Sequence, residues 1–306
     1  MNKLFAIVGG AEKAGTTSLY TYLAAHPETC ASSNKETDYF RGNVSDLSDY
    51  MHYFKHCDAA ASVLLESSPG YLAEANTVAP RIGKLLPNSK MIFLLREPIE
   101  RLKSSFRFYK SRLHLPEDMS FDDFADRCLR YQTESKRPEE LGVEEWYLKS
   151  LSRGCYSEAL EPFRRQFGED RLLVLSYDQL RDDVVGTVKQ AAEFIGIDPG
   201  FYDSYSFGRE NVTFFVRGRL LHKYAIWAND RFETLWRRHP QLKKKLLKLY
   251  KRINGRELEK EQMSELTLER LRAFYLPTLA ELERTTLPGL NWLKTYPARP
   301  PVLAAS

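Results

Sequence analysis

Lys13 stands in the segment Gly10-Ala11-Glu12-Lys13-Ala14-Gly15-Thr16-Thr17-Ser18, between an apolar run (residues 5–8) and an amphipathic stretch. Glycines at a turn, one ammonium and three hydroxyl residues opening a helix aim backbone N–H groups and positive charge at one point. That is chemistry for holding a phosphate or a sulfate. Gly10 and Gly15 keep the spacing of a Walker A loop, yet residue 16 is Thr and the lysine lies inside the loop. No later strand ends on a metal-binding aspartate; the apolar run 91–95 ends on Arg96, a cation. A metal-dependent nucleotide kinase is thereby weakened and kept as an alternative, beside a non-catalytic nucleotide-binding module.

Arg96 adds a second anion site. Ser104 follows it by eight residues, about two turns into a helix that starts at Pro98. A guanidinium and a hydroxyl together hold a phosphate by charge-assisted hydrogen bonds. Ligands of open α/β sheets sit beyond the carboxyl ends of the strands, so Lys13 and Arg96 are expected to face one crevice. Two anion sites around one crevice imply a nucleotide with separate 5′ and 3′ phosphates.

The elements that must position these residues can be read from hydrophobic periodicity. Strands are expected at 4–9, 62–66, 91–95 and 171–176, and helices at 15–26, 98–112, 154–167 and 183–195, with another carrying Val78, Ile82, Leu85 and Leu86. Continuous apolar strands alternating with helices argue for a mostly parallel sheet covered on both faces. Residues 31–41 read as a polar loop or short edge strand. Residues 113–153 read as mostly helical, anchored by Phe121, Phe124, Leu129, Trp146, Leu148 and Leu151, and 199–221 as a long loop. The C-terminal third is expected to be helical, with an apolar stripe through Leu268, Leu271, Tyr275, Leu279 and Leu282. No linker divides the chain, so one domain over 1–306 is expected, with an α/β core over 1–200.

Composition sets bounds. A sequence with 43% hydrophobic and 28% charged residues describes an ordinary globular protein, and no run approaches the ~20 apolar residues that span a bilayer. The first residues lead straight into a strand with no signal-peptide pattern, so a cytoplasmic setting is expected. Cys30, Cys57, Cys128 and Cys155 show no paired spacing and read as four thiols rather than disulfides. His52 and His56 beside Cys57 lack further ligands, so no metal site is expected. The net charge of +4 is local: residues 231–252 hold nine Lys/Arg and one acid, and the remainder has 36 basic and 40 acidic residues. That asymmetry points away from nucleic acid and toward one cationic surface, a solvated helix face or a contact with a membrane or polyanion.

The residues carry a resemblance. Residues 10–19 resemble the 5′-phosphosulfate loop of sulfotransferases that use 3′-phosphoadenylyl sulfate (PAPS), and residues 96–104 resemble their 3′-phosphate motif, R-x-P-x-x-R-x-x-S. The similarity is strongest to heparan-sulfate-type and related bacterial carbohydrate sulfotransferases. Lys35-Glu36-Thr37-Asp38-Tyr39-Phe40 matches their K-E-x-x-[FY]-F segment, and Glu66-Ser67-Ser68-Pro69-Gly70-Tyr71 their E-[KS]-[ST]-P-x-Y turn. Gly154-Cys155-Tyr156 matches their G-x-Y, and Arg217-Gly218-Arg219 resembles their late K-G-R phosphate loop.

The resemblance implies a P-loop-like three-layer α/β/α fold and transfer of a sulfuryl group from PAPS to an acceptor hydroxyl. The acceptor it implies is a carbohydrate or glycolipid, with O-sulfation of a small natural product as the alternative. The N–H groups of Lys13, Ala14, Gly15, Thr16, Thr17 and Ser18 would hold the 5′-phosphosulfate, and Lys13 would neutralise the bridging oxygen. Glu36 would be the general base, with Asp38 in reserve. Arg96 and Ser104 would hold the 3′-phosphate under Arg217, Gly218 and Arg219, and Tyr177 would touch the adenine. PAPS would be the co-substrate and PAP (3′-phosphoadenosine 5′-phosphate) the product, with no metal required. Two positions depart from the pattern: Asp38 where histidine is frequent, and Ser67 where many members have a catalytic lysine.

Overall fold

The computed structural model describes residues 3–208, 215–216, 231, 246, 250, 255–256 and 262–296. Five strands, β1 (Leu4–Gly10), β2 (Thr29–Ala31), β3 (Val63–Ser67), β4 (Lys90–Leu95) and β5 (Leu172–Ser176), form one sheet in the order β2-β3-β1-β4-β5. Every pair is parallel. The apolar strands have the reason anticipated. Ala6 and Val8 of β1, with Ile92 and Leu94 of β4, face one buried cluster, while Ile7, Met91, Phe93 and Leu95 face the other. Side chains of alternate residues point to opposite faces, so a strand covered on both sides has no polar side to show.

Helices α1 (Thr16–Ala24) to α10 (Val184–Ile195) fill in the layers. Between them come α2 (Ser48–His52), α3 (Ala75–Leu85), α4 (Pro98–Ser111), α5 (Phe121–Thr133), α6 (Pro138–Leu141), α7 (Glu145–Leu148), α8 (Tyr156–Phe167) and α9 (Tyr177–Asp182). Leu19 and Leu23 of α1 and Val188 and Ala192 of α10 join the first cluster; Val78 and Ile82 of α3 and Leu160 and Phe163 of α8 join the second. The chain leaves β1 toward β2 and β3 on one side and reaches β4 on the other, so the topological switch lies at β1. That places a crevice beyond Gly10.

The C-terminal helix α11 (Glu265–Thr285) packs on α8, α5 and α4. Its Tyr275 hydroxyl donates to the Leu151 carbonyl at 2.8 Å, and Thr278 shares a 2.7 Å hydrogen bond with Ser157. A two-stranded antiparallel ribbon pairs β6 (Phe215–Val216) with β7 (Gly255–Arg256). Arg217, Gly218, Arg219 and almost all of the basic stretch 231–252 lie outside the described residues.

Two expectations need correction. Cys30 and Cys57 are joined as a disulfide, which leaves Cys128 and Cys155 as free thiols among the described residues. The pairing closes the segment that carries Lys35, Glu36 and Asp38 onto the middle of β2. It also commits two of the three potential metal ligands in the Cys30, His56, Cys57 group to each other. Disulfides are rare in the cytosol, so the cysteines lend no support to the expected cytoplasmic setting. Trp146, expected as a core anchor, is 41% exposed, whereas Phe121, Phe124, Leu129, Leu148 and Leu151 are buried. Among the described residues no helix is long and apolar enough to cross a membrane.

Candidate active site

The β1–α1 loop is built around Gly15, whose φ of 93° lies in the left-handed region. A Cβ there would stand 2.9 Å from Cδ2 of Tyr177, so glycine is required both for conformation and for the close approach of that ring. Lys13 also takes a left-handed backbone, φ 66°, which costs a side-chain-bearing residue about 1 kcal/mol. The Ala11 N–H donates to the Leu94 carbonyl at 2.8 Å, tying the loop to the end of β4. Helix α1 has no side-chain cap and no acid in its first turn. The Thr16 and Thr17 N–H groups, first in the helix, have no acceptor within it. Such an end suits an anion.

Lys13 supplies the cation. Its Nζ lies 4.0 Å above the Phe108 ring. Burial depresses its pKa below the ordinary lysine value, against the opposing pull of Glu12 and Glu36 and with the repulsion of Arg96 and Lys35. Among the described residues no carboxylate forms an ion pair with it. A half-buried ammonium without a counter-ion, beside an uncapped helix end, fits an anionic ligand.

Arg96, just past β4, reaches the same crevice. Its Nη1 donates to the Lys13 carbonyl at 3.3 Å, and its guanidinium lies 4.9 Å from the Tyr177 ring centre. Tyr177 thus packs against both Gly15 and Arg96. The Arg96 carbonyl is held by the Tyr156 hydroxyl at 2.7 Å, which gives the Gly154-Cys155-Tyr156 motif a positioning role. Arg96 pairs with Glu100 at 3.7 Å, and Lys103 with Glu100 at 3.0 Å. Ser104 stands one helical turn beyond Glu100, on the same face of α4 and half-buried. Two neighbours in that motif are structural. Glu97 caps α4 by accepting from the Ile99 and Glu100 N–H groups, and Arg101 is fully buried, donating to Ser105 and to the Ser150 carbonyl.

Glu36 and Asp38 stand across the crevice, on the loop after β2. Glu36 is exposed and pairs with Lys35 at 2.7 Å. Asp38 lies 3.5 Å from Arg41, and its N–H donates to the Ser68 hydroxyl at 3.0 Å. Lys35, to which motif matching assigned no role, joins Lys13 as a second ammonium beside Glu36. Ser67, at the position of the missing lysine, is fully buried, and its hydroxyl has no partner among the described residues. Its N–H donates to the Lys35 carbonyl at 3.2 Å.

Glu66, matched in the sequence only as the first residue of the turn that ends at Tyr71, has a role that the motif does not carry. It is completely buried and accepts hydrogen bonds from four hydroxyls: Ser68 (2.6 Å), Tyr71 (2.7 Å), Tyr50 (2.6 Å) and Thr37 (2.5 Å). Thr37 sits between Glu36 and Asp38, so this carboxylate anchors the loop that carries both. Burial raises the Glu66 pKa, partly offset by the four donors, which favour the charged form. The sign follows. The cost of its charge is absent while the acid is protonated in both folded and unfolded states. That cost appears as pH rises past the unfolded value of about 4.3, and it is complete above the folded value. Glu66→Ala is expected to destabilise the fold by about 3 kcal/mol, by leaving buried hydroxyls without an acceptor. Glu66→Gln should flatten the fall in stability with pH above about 4.3. Urea unfolding across pH checks both.

Comparison with known proteins gives the family. The family model "Sulfotransferase domain" matches residues 6–209, and the chain belongs to that family. The membrane-associated sulfotransferase kil1 of Dictyostelium discoideum is 34% identical over 140 residues, covering 40% of this chain and 29% of that protein. Two Mus musculus proteins align over 68% of this chain. The bifunctional heparan sulfate N-deacetylase/N-sulfotransferase 4 is 26% identical over 224 residues, 23% of its length, and the heparan sulfate glucosamine 3-O-sulfotransferase 3B1 is 24% identical over 209 residues, 50% of its length. The chain therefore spans between 23% and 50% of the length of these relatives. A solved sulfotransferase from Alicyclobacillus acidocaldarius shares the fold, with a TM-score of 0.62 at 20% identity, over 93% of this chain and 95% of that one.

Proposed function

We propose that the protein transfers a sulfuryl group from PAPS to an acceptor hydroxyl. The observation that carries this reading is Lys13, a half-buried ammonium without a carboxylate partner among the described residues, set between an uncapped helix N-terminus and Arg96. The loop N–H groups from Lys13 to Ser18, with the Thr16 and Thr17 hydroxyls, hold the 5′-phosphosulfate. Arg96 and Ser104 hold the 3′-phosphate, and Tyr177 lies against the adenine. Arg217, Gly218 and Arg219 close over the 3′-phosphate in this reading, which rests for them on the motif alone.

In the transfer step Glu36 takes the proton of the acceptor hydroxyl, whose oxygen forms a bond to sulfur as the bond from sulfur to the 5′-phosphate oxygen breaks. Lys13 stabilises the charge that develops on that leaving oxygen. The phosphate leaves already carrying stabilised charge, so the step calls on no metal. The acceptor is a carbohydrate or glycolipid hydroxyl, a reading supported for the hydroxyl by the heparan sulfate 3-O-sulfotransferase relative, for the carbohydrate by both heparan sulfate relatives, and by the Lys35-Glu36-x-x-Tyr39-Phe40 segment. Membership of the sulfotransferase family sets the kinase alternative aside.

Calorimetry with PAP, ATP and ADP, with and without Mg²⁺, tests the donor. Metal-independent PAP binding without ATP binding is expected, and ATP binding that requires Mg²⁺ would overturn the reading. Arg96→Ala is expected to weaken PAP binding by roughly 10- to 100-fold, the worth of charge-assisted hydrogen bonds to a phosphate. Equal affinity in the variant and the wild type would remove Arg96 from the 3′-phosphate site.

A further inference from the structure

Trp146 is the exposed aromatic that links the two walls of the crevice. The Arg153 guanidinium lies 3.7 Å from its ring centre and the Arg41 guanidinium 5.5 Å from it. Arg153 pairs with Glu12 at 3.2 Å, and Glu12 precedes Lys13 in the anion loop. Arg41 lies 3.5 Å from Asp38, two residues after Glu36, and makes a two-pronged contact with Glu74 at 2.8 and 2.5 Å. The indole therefore spans from the loop that carries Lys13 to the loop that carries Glu36. Arg96, Ser104 and Tyr177 gather on the nucleotide side, and none of the contacts of Trp146 involves them. A pocket lined by Ala11, Glu12, Pro69, Ala73, Ser152 and Arg153 opens beside the same guanidinium.

We infer that Trp146 is the platform on which the acceptor stacks, and that this acceptor presents an uncharged pyranose ring there. The inference rests on the sulfotransferase reading given above and names the acceptor side of that site. A phenol would call for an enclosed apolar slot, whereas this ring is 41% exposed on a polar rim. Arg153 is stacked over the indole at 3.7 Å, so a sugar offers its C–H groups to the exposed remainder of the ring and its hydroxyls to the carboxylates and guanidiniums at the edge. Both guanidiniums here are balanced by Glu12, Asp38 and Glu74, so the rim has no surplus positive charge to draw a densely sulfated chain.

The test uses the full chain with labelled PAPS and four acceptors: maltotetraose, cellotetraose, N-acetylchitotetraose and p-nitrophenol. PAP calorimetry runs in parallel on every variant. Sulfation of at least one neutral tetrasaccharide is expected. Trp146→Ala should raise its KM about tenfold while kcat and the PAP Kd stay within about twofold, and Trp146→Phe should recover most of the loss. An unchanged KM in Trp146→Ala would overturn the inference, as would parallel loss of PAP binding. A wild type that binds PAP but sulfates none of the sugars also overturns it, with the donor reading intact. A wild type that fails to bind PAP removes the sulfotransferase reading on which the inference stands.

Discussion

Lys13→Ala is expected to lower kcat for sulfuryl transfer by about 10²–10³-fold while raising the KM for PAPS less than about tenfold. The split follows from where the ammonium acts. In the proposed step the oxygen linking sulfur to the 5′-phosphate gains charge only as the bond to sulfur breaks, so the ammonium acts on the transition state more than on bound PAPS. Lys13 is held over the Phe108 ring in a partly desolvated crevice, where a charge acts more strongly than in water. Burial has a second consequence. The charged form is disfavoured, so the ammonium loses its proton at a lower pH than the ordinary lysine value of about 10.4. Activity that needs the charged form is lost as pH rises through that depressed value. Lys13→Arg, whose guanidinium stays protonated, should keep a fraction of the activity and shed that alkaline limb. Steady-state kinetics across pH, with PAP calorimetry on the same variants, decide the matter. A rise in the KM for PAPS as large as the expected loss of kcat, with kcat itself unchanged, would make Lys13 a binding residue.

The strands and the anion loop were legible in the sequence for a plain reason: their cause is local. A strand buried on both faces must be apolar at every residue, as Val63-Leu64-Leu65 and Met91-Ile92-Phe93-Leu94-Leu95 are. A loop that aims N–H groups at an anion needs a glycine where Gly15 takes a positive φ. Features that depend on segments far apart in the chain were not legible. The Cys30–Cys57 pairing spans 27 residues and is made by the fold of the intervening loop, which spacing does not encode. Glu66 draws its four donors from Thr37, Tyr50, Ser68 and Tyr71, and two of those are remote in sequence. Trp146 reads as core because a tryptophan near Leu148 and Leu151 fits an apolar stripe. The structure buries those leucines and leaves the indole to two arginines, each supplied by a different segment.

Glu36→Gln is expected to reduce turnover by about 10²–10⁴-fold, the usual worth of a positioned general base, with PAP affinity unchanged. Two carboxylates share this loop, and geometry separates them. Asp38 is occupied: Arg41 lies 3.5 Å away, and the residue sits in a left-handed turn with its N–H fixed on Ser68. Glu36 faces outward, and its contact is Lys35 at 2.7 Å, an exposed pair that an approaching hydroxyl can displace at a cost of about 1 kcal/mol or less. Asp38→Asn should therefore lose less turnover than Glu36→Gln. Lys35→Met supplies the control, because it removes the pair but keeps the carboxylate. If Glu36 matters only as the partner of Lys35, the two variants will lose equal turnover. If it is the base, Lys35→Met will retain most of the activity that Glu36→Gln loses. Should Asp38→Asn instead show the deeper loss with PAP binding intact, the base moves two residues along the loop, and Trp146, in contact with the Arg41 that pairs with Asp38, comes closer to the reacting hydroxyl.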